Sequence, residues 1–177
     1  MKKELIIFGN GGHFREIYSL IITDKKNKKI KNLKFVGIVN KEKKRGLDSY
    51  SNLAFIDEIN IKNKKNLYLL IAIGNPKIRE KIIKKYKKYN FISFIHSSSI
   101  ISPNIKLGKG IIIGPNCVFT SNAVIKDYNQ FNSQCIISHD CQIGSNNQFS
   151  SGVKIMGKCK IGNNNFFGVD TKMIDNT

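Results

Sequence analysis

From Ile95 to Met173 an apolar residue stands at every sixth position, fourteen times without a miss. The chain as a whole is 41% hydrophobic. A run of that length by chance, in any of six frames, is on the order of one in 50,000. A period of six fits neither the 3.6-residue turn of a helix nor the two-residue alternation of a strand. It fits a solenoid of short strands in which each hexad forms one side of a coil.

The other hexad positions carry their own pattern. Glycine follows the apolar residue at Gly108, Gly114, Gly144, Gly162 and Gly168, and the expectation is that a turn there needs permissive backbone angles. Four places after the apolar residue comes a mostly small one, including Cys117, Ala123, Cys135, Cys141 and Cys159. With three hexads to a coil, residues eighteen apart stack at the strand-pairing distance of about 4.8 Å. Phe131, Phe149 and Phe167 then form one column, and Asn129, Asn147 and Asn165 another whose amides can bond along the axis.

All four cysteines occupy the same small hexad position and read as buried hydrophobes. No Cys-x-x-Cys spacing occurs, which argues against zinc. No stretch approaches the roughly 20 apolar residues of a membrane span, and the short run Leu5–Phe8 after Met1–Lys3 falls below a signal-peptide core. The expectation is a cytoplasmic protein without a membrane partner. The net charge is +18, and it is lopsided. Residues 1–94 hold 20 Lys and 3 Arg against 8 acids, residues 95–177 hold 7 Lys against 4. Base and phosphate-fork recognition favours Arg, so a scattered lysine excess points to solvated surface and not to nucleic acid.

The first 94 residues show a different grammar. Glu4–Phe8 reads as a buried parallel strand. Gly9-Asn10-Gly11-Gly12-His13 follows, then an amphipathic helix from about Phe14 to Thr23. Strand, glycine loop and helix make the first unit of a Rossmann-like fold, and the backbone N–H groups at that helix start suit a phosphate. Phe14 stands where the dinucleotide fingerprint wants a third glycine. Lys34–Val39 reads as the next strand, ending at Asn40 before a charged loop, Lys41–Arg45. Leu67–Ile73 is a third strand, running into Gly74-Asn75-Pro76. A helix over about 77–86 presents Ile78, Ile82 and Ile83 on one face, and Phe91–Ile95 is a last strand. The glycine loop, Asn40 and Gly74 all fall at carboxyl ends of strands, the edge where open α/β sheets take ligands.

Together these halves resemble the bacterial nucleotide-sugar and sialic-acid acetyltransferases. The resemblance rests on Ile7-Phe8-Gly9-Asn10-Gly11-Gly12-His13, Ala72-Ile73-Gly74-Asn75, Ile95-His96-Ser97-Ser98 and Ile137-Ser138-His139-Asp140-Cys141-Gln142-Ile143-Gly144. It implies an α/β Rossmann-like domain, residues 1–94, followed by a left-handed parallel β-helix, residues 95–177. It also implies a homotrimer using acetyl-CoA, with the acceptor's nucleotide held by the first domain. Gly11, Gly12, His13 and Gly74 match substrate-binding positions, and Asn40 stands where many members carry an acidic pair. His139 matches the general base. Asp140 takes a position that is usually Glu. Gln148, Gly157 and Val169 match positions along the acetyl donor. Family members usually continue with further coils and a cap, whereas this sequence ends partway through its fifth coil, so the β-helix is expected to be C-terminally incomplete.

The chemistry at His139 follows from its residue type. Acetyl transfer to an amine requires a group that takes a proton as the amine attacks, and a neutral imidazole can do so. A carboxylate on its other nitrogen fixes the tautomer. Residues eighteen away, Ser121 and Gly157, leave room beside the ring. Three functions stay open at this point. The first is N-acetylation of a nucleotide-linked amino sugar for surface polysaccharide synthesis. The second is O-acetylation of sialic acid or another sugar. The third is a non-catalytic sugar-nucleotide-binding or scaffold trimer.

Overall fold

The computed structural model describes residues 3–27, 30, 32–40, 46–56, 61 and 66–177; the charged loop expected at Lys41–Arg45 lies outside them. The chain divides into two compact units, Met1–Ile73 with Ile83–Ile92, and Gly74–Ile82 with Ser93–Thr177.

In the first unit, β1 (Glu4–Phe8), β2 (Lys34–Val39), β3 (Leu67–Ile71) and β4 (Asn90–Phe91) form one parallel sheet in the order β2-β1-β3-β4. The order reverses beside β1, so the carboxyl ends of β1 and β3 form a topological switch point. Leu5, Ile6, Ile7 and Phe8 are all buried, as a strand covered on both faces requires. Helix α1 (Gly12–Thr23) starts two residues earlier than the sequence suggests, because Gly11 serves as its N-cap. It buries Phe14, Ile17 and Ile21 on one stripe.

Helix α2 (Pro76–Lys85) is capped by Asn75, whose Oδ1 accepts the N–H of Lys77 at 2.9 Å. Its buried residues are Pro76 and Arg79. The expected isoleucine face is corrected here, since Ile78 is 44% exposed and the fully buried side chain is Arg79. The expected strand Phe91–Ile95 is also corrected. It is two short strands, β4 and β5 (Phe94–Ile95), and they pair in different sheets.

The second unit contains fourteen two-residue strands, β5 through β18 (Lys172–Met173). They stack in three parallel sheets whose registers are offset by eighteen residues, as in Phe131↔Phe149 and Ile137↔Ile155. The sixth-residue column points inward. From Ile113 to Ile155 every member is at most 1% exposed. Burying each such side chain contributes roughly 1.5–3 kcal/mol. The rings of Phe131, Phe149 and Phe167 stack at 4.4 and 4.8 Å, nearly parallel.

The four cysteines are free and buried. Each donates its S–H to a carbonyl fifteen residues on, as Cys117 does to Asn132 at 3.0 Å. The asparagine column bonds along the axis, once amide to amide, from Asn165 Nδ2 to Asn147 Oδ1 at 3.0 Å, and otherwise through the backbone. Asn129 Oδ1 accepts the backbone N–H of Asn147, and Asn147 Oδ1 that of Asn165, each at 2.8 Å. The Nδ2 groups of Asn129 and Asn147 reach the corner carbonyl of Gly144, at 2.6 and 3.3 Å.

The turn glycines are a further correction. Left-handed backbone angles recur every six residues, at Asn116, Asn122, Tyr128, Gln134, Asp140, Asn146, Gly152, Lys158, Asn164, Asp170 and Asn176, with φ between 53° and 75°. These positions lie three residues after the apolar one. The glycines directly after it lie outside the left-handed region, and at Gly108, Gly114 and Gly144 their role is spatial: a Cβ on Gly144 would come 2.5 Å from the Gly162 carbonyl oxygen in the next coil. Asn and Asp tolerate the left-handed region best among non-glycine residues, which matches the asparagine-rich turns.

Candidate active site

Strand β12 (Ile136–Ile137) ends at the turn Ser138-His139-Asp140-Cys141. Neighbouring coils hold this turn from both sides. The Asp140 N–H donates to the Ser121 carbonyl at 3.0 Å, and the His139 carbonyl accepts the Lys158 N–H at 2.8 Å. The backbone is therefore rigid while both side chains remain open to solvent, His139 at 47% and Asp140 at 44%.

His139 Nδ1 lies 2.9 Å from Asp140 Oδ2. The hydrogen bond from His139 is the main cause that holds the Asp140 carboxyl below the usual carboxylate range, with a further hydrogen bond from Asn122 helping. An ionised carboxylate only accepts, so Nδ1 carries the proton and the lone pair sits on Nε2. The ring rests on Gly157. A Cβ there would stand 2.5 Å from both Cε1 and Nε2. The Gly157 N–H donates to Asp175 Oδ1 at 3.0 Å, which ties that peptide to the following coil. Glycine at 157 thus provides the seat for the imidazole.

The residues matched to the acetyl donor have unequal access. Val169 is 70% exposed. Gln148 is 2% exposed, and both ends of its amide are engaged. Its Oε1 accepts from Arg79 Nη1 at 2.8 Å, and its Nε2 donates to Asn132 Oδ1 at 3.2 Å. A direct contact between Gln148 and a ligand would have to displace these bonds.

Arg79 escaped the sequence reading. Its guanidinium is fully buried, and burial pulls its pKa down to about 9. Nε donates to Asn146 Oδ1 at 2.9 Å, Nη1 to the Gly74 carbonyl, and Nη2 to the carbonyls of Asn146 and Asn147 at 3.2 and 3.0 Å. It fastens the first turn of α2 to a corner of the solenoid. One signal was present: α2 reads PKIREKIIKK, with one of only three arginines in a lysine-rich chain, and the planar guanidinium suits multidentate burial.

In the first unit, Gly9 and Gly11-Gly12 differ. Gly9 has φ +113°, and a Cβ there would meet the Ala72 carbonyl oxygen at 2.6 Å, so the fold itself requires glycine. Gly11 and Gly12 have no atom within 4 Å of such a Cβ. Nothing among the described residues demands their bareness, whereas a phosphate approaching the backbone would. The N-terminus of α1 has no side-chain cap on Gly11 and no acidic residue in its first turn, and a helix start of that kind suits an anion. His13, half-buried, has Nδ1 at 3.6 Å from Glu16. Asn40 directly follows β2, and Gly74 comes three residues after β3.

Among the described residues no group of three or more His, Cys, Asp and Glu is placed to hold a metal ion, and no helix is long and apolar enough to cross a membrane.

Residues 4–86 match the family described as the PglD N-terminal domain. No curated protein matches the sequence significantly. Solved structures match across nearly the whole chain. WeeI from Acinetobacter baumannii AYE has a TM-score of 0.84 at 20% identity, over 99% of this chain and 82% of that one. A mutant of perosamine N-acetyltransferase from Caulobacter crescentus, in complex with CoA and GDP-perosamine, has a TM-score of 0.74 at 18% identity, over 99% and 92%. The acetyltransferase domain of PglB from Neisseria gonorrhoeae FA1090 has a TM-score of 0.78 at 16% identity, over 97% and 91%. The chain therefore has an α/β unit, whose residues 4–86 match the PglD N-terminal domain, followed by a left-handed parallel β-helix.

Proposed function

We propose that the protein transfers the acetyl group of acetyl-CoA to the amino group of a nucleotide-linked amino sugar, with His139 as general base. The observation that carries this is the His139–Asp140 pair at 2.9 Å on a rigid turn, with Nε2 as the free basic nitrogen. The neutral amine attacks the thioester carbonyl. Its proton passes to His139 Nε2 as the C–N bond forms, the C–S bond breaks, and the CoA sulfur leaves with a proton returned from the imidazolium. Asp140 orients the ring and stabilises its charged form. No covalent enzyme intermediate is required, and the buried cysteines take no part.

Gly11 and Gly12, with the open N-terminus of α1, are the proposed seat for the acceptor's diphosphate, and His13, Asn40 and Gly74 would contact its sugar or base. On the donor side, Val169 is the accessible contact, the buried Gly157 would act by leaving space beside the imidazole, and Gln148 would act through Asn132 and Arg79. We assign the protein to the cytoplasm as a homotrimer. An outward stripe of Ile100, Val118 and Ile136, the first 64% exposed, supplies an apolar surface for such an assembly.

The deciding experiment measures CoA release with UDP-, dTDP- and GDP-linked amino sugars, and with free sialic acid as comparison. Turnover confined to the amino sugars is expected. Turnover on sialic acid alone would establish O-acetylation instead, and no release with any acceptor would point to the non-catalytic alternative.

A further inference from the structure

Asn122 stands eighteen residues before Asp140, at the same turn position one coil earlier. Both have left-handed backbone angles, φ 53° and 59°. Matching angles in stacked coils aim the two side chains the same way, at the strand-pairing distance of about 4.8 Å. At that spacing a side-chain amide in one coil can donate to an oxygen in the next. Two corners of the solenoid do this with asparagines. Asn104 Nδ2 donates to Asn122 Oδ1 at 2.6 Å, and Asn146 Nδ2 to Asn164 Oδ1 at 2.7 Å.

The bond from Asn104 decides which way the Asn122 amide faces. Its Oδ1 is occupied on the Asn104 side, so its Nδ2 group is turned toward Asp140. There the amide donates to the carboxyl, and His139 Nδ1 donates to Oδ2 of the same group at 2.9 Å. Asn104, Asn122, Asp140 and His139 thus form one file of hydrogen-bonded side chains across three coils. Asp140 is 44% exposed, so hydrogen bonds more than packing set its rotamer. A single bond to His139 would leave the carboxylate free to turn about that bond. A second donor, from another coil, fixes its plane. Lys158, one coil on, adds only a weaker attraction, and its flexible ammonium imposes no direction.

We propose that Asn122, itself oriented by Asn104, is a positioning residue that holds the Asp140 carboxylate on His139 Nδ1 and so keeps the basic Nε2 in one direction. The inference rests on the reading of His139 as the general base. Asn122 acts on the reaction only through Asp140. Its effect therefore belongs to the chemical step and not to the binding of either substrate.

The test is a double-mutant cycle of Asn122→Gly with Asp140→Gly, since glycine accepts the left-handed angle at both positions. Asn122→Gly alone should lower kcat by about threefold, with KM for both substrates and the melting temperature unchanged. In the Asp140→Gly background it should lower kcat no further, because the group it acts through is gone. A measurement on the wild type needs no variant. In a pH titration followed by NMR, the Asn122 side-chain amide nitrogen should shift with the same inflection as the Asp140 carboxyl carbon. An amide that ignores that inflection, an unchanged kcat in Asn122→Gly, or a loss that persists in full without the Asp140 carboxylate overturns the positioning role and leaves His139 as base. Full activity in His139→Ala overturns the base, and with it the role of Asn122.

Discussion

Glycine does different work in the two units of this protein. In the α/β unit, Gly9 is required by its own φ of +113° and by a strand more than sixty residues away, since a Cβ would strike the Ala72 carbonyl. In the solenoid, the left-handed positions are filled mostly by Asn, Asp, Gln and Lys, while glycines such as Gly144 and Gly157 keep space for the neighbouring coil. A solenoid residue meets its own pattern again eighteen residues later, so its task can be read from its hexad position. A residue in the α/β unit meets strands that the chain reaches by long connections, and its task depends on how they pair.

The largest test of this contrast is at the turn itself. His139→Ala removes a side chain from a turn whose backbone is held by both neighbouring coils, so fold and substrate affinities should persist while turnover falls by roughly 10²–10⁴. Steady-state kinetics beside a thermal melt would show it, and full activity in the variant would refute His139 as base.

Gly9→Ala should come next, destabilising the α/β unit by about 3 kcal/mol in urea unfolding, because it combines a disfavoured φ with a close backbone approach. Gly11→Ala should shift stability by no more than about 0.5 kcal/mol and should weaken nucleotide binding. Equal stability losses in the two variants would erase the distinction between a glycine the fold needs and one a ligand needs.

Gly157→Ala should displace the imidazole without opening the core, lowering turnover about tenfold, near 1.4 kcal/mol of barrier. An unchanged nuclear Overhauser contact between His139 and residue 157 in that variant would show that the ring does not rest there.

The smallest effect concerns Asp140. Its folded-state carboxyl titrates below the usual value, so its stabilising contribution is fully present above the unfolded value of about 3.9. That contribution is lost as pH falls through the lower folded value. A carbon-13 titration should place the inflection below about 3.9, and His139→Ala should raise it, because the hydrogen bond from His139 is its main cause. A few-fold loss of turnover in Asp140→Asn would accompany this, since Asp140 only orients and polarises the ring.

Much of this structure was legible in the amino-acid order. The six-residue period, the stacked Phe131, Phe149 and Phe167, the buried cysteines and the adjacency of His139 and Asp140 are all short-range consequences of repetition. A coil of eighteen residues brings the same pattern back to itself, and the hydrophobic effect selects which side turns inward. Strand–glycine loop–helix was likewise legible as local grammar. Packing alone decided the rest. Arg79 sits on a helix whose isoleucines look like the buried face, yet Gln130, Gln148 and the carbonyls of Asn146 and Asn147 form a polar socket that only a guanidinium can fill. The room beside His139 was legible from Gly157 eighteen residues on, but only packing showed that the imidazole itself fills it. Sequence period determines which residues stack, and tertiary structure determines what the stacked surfaces leave open.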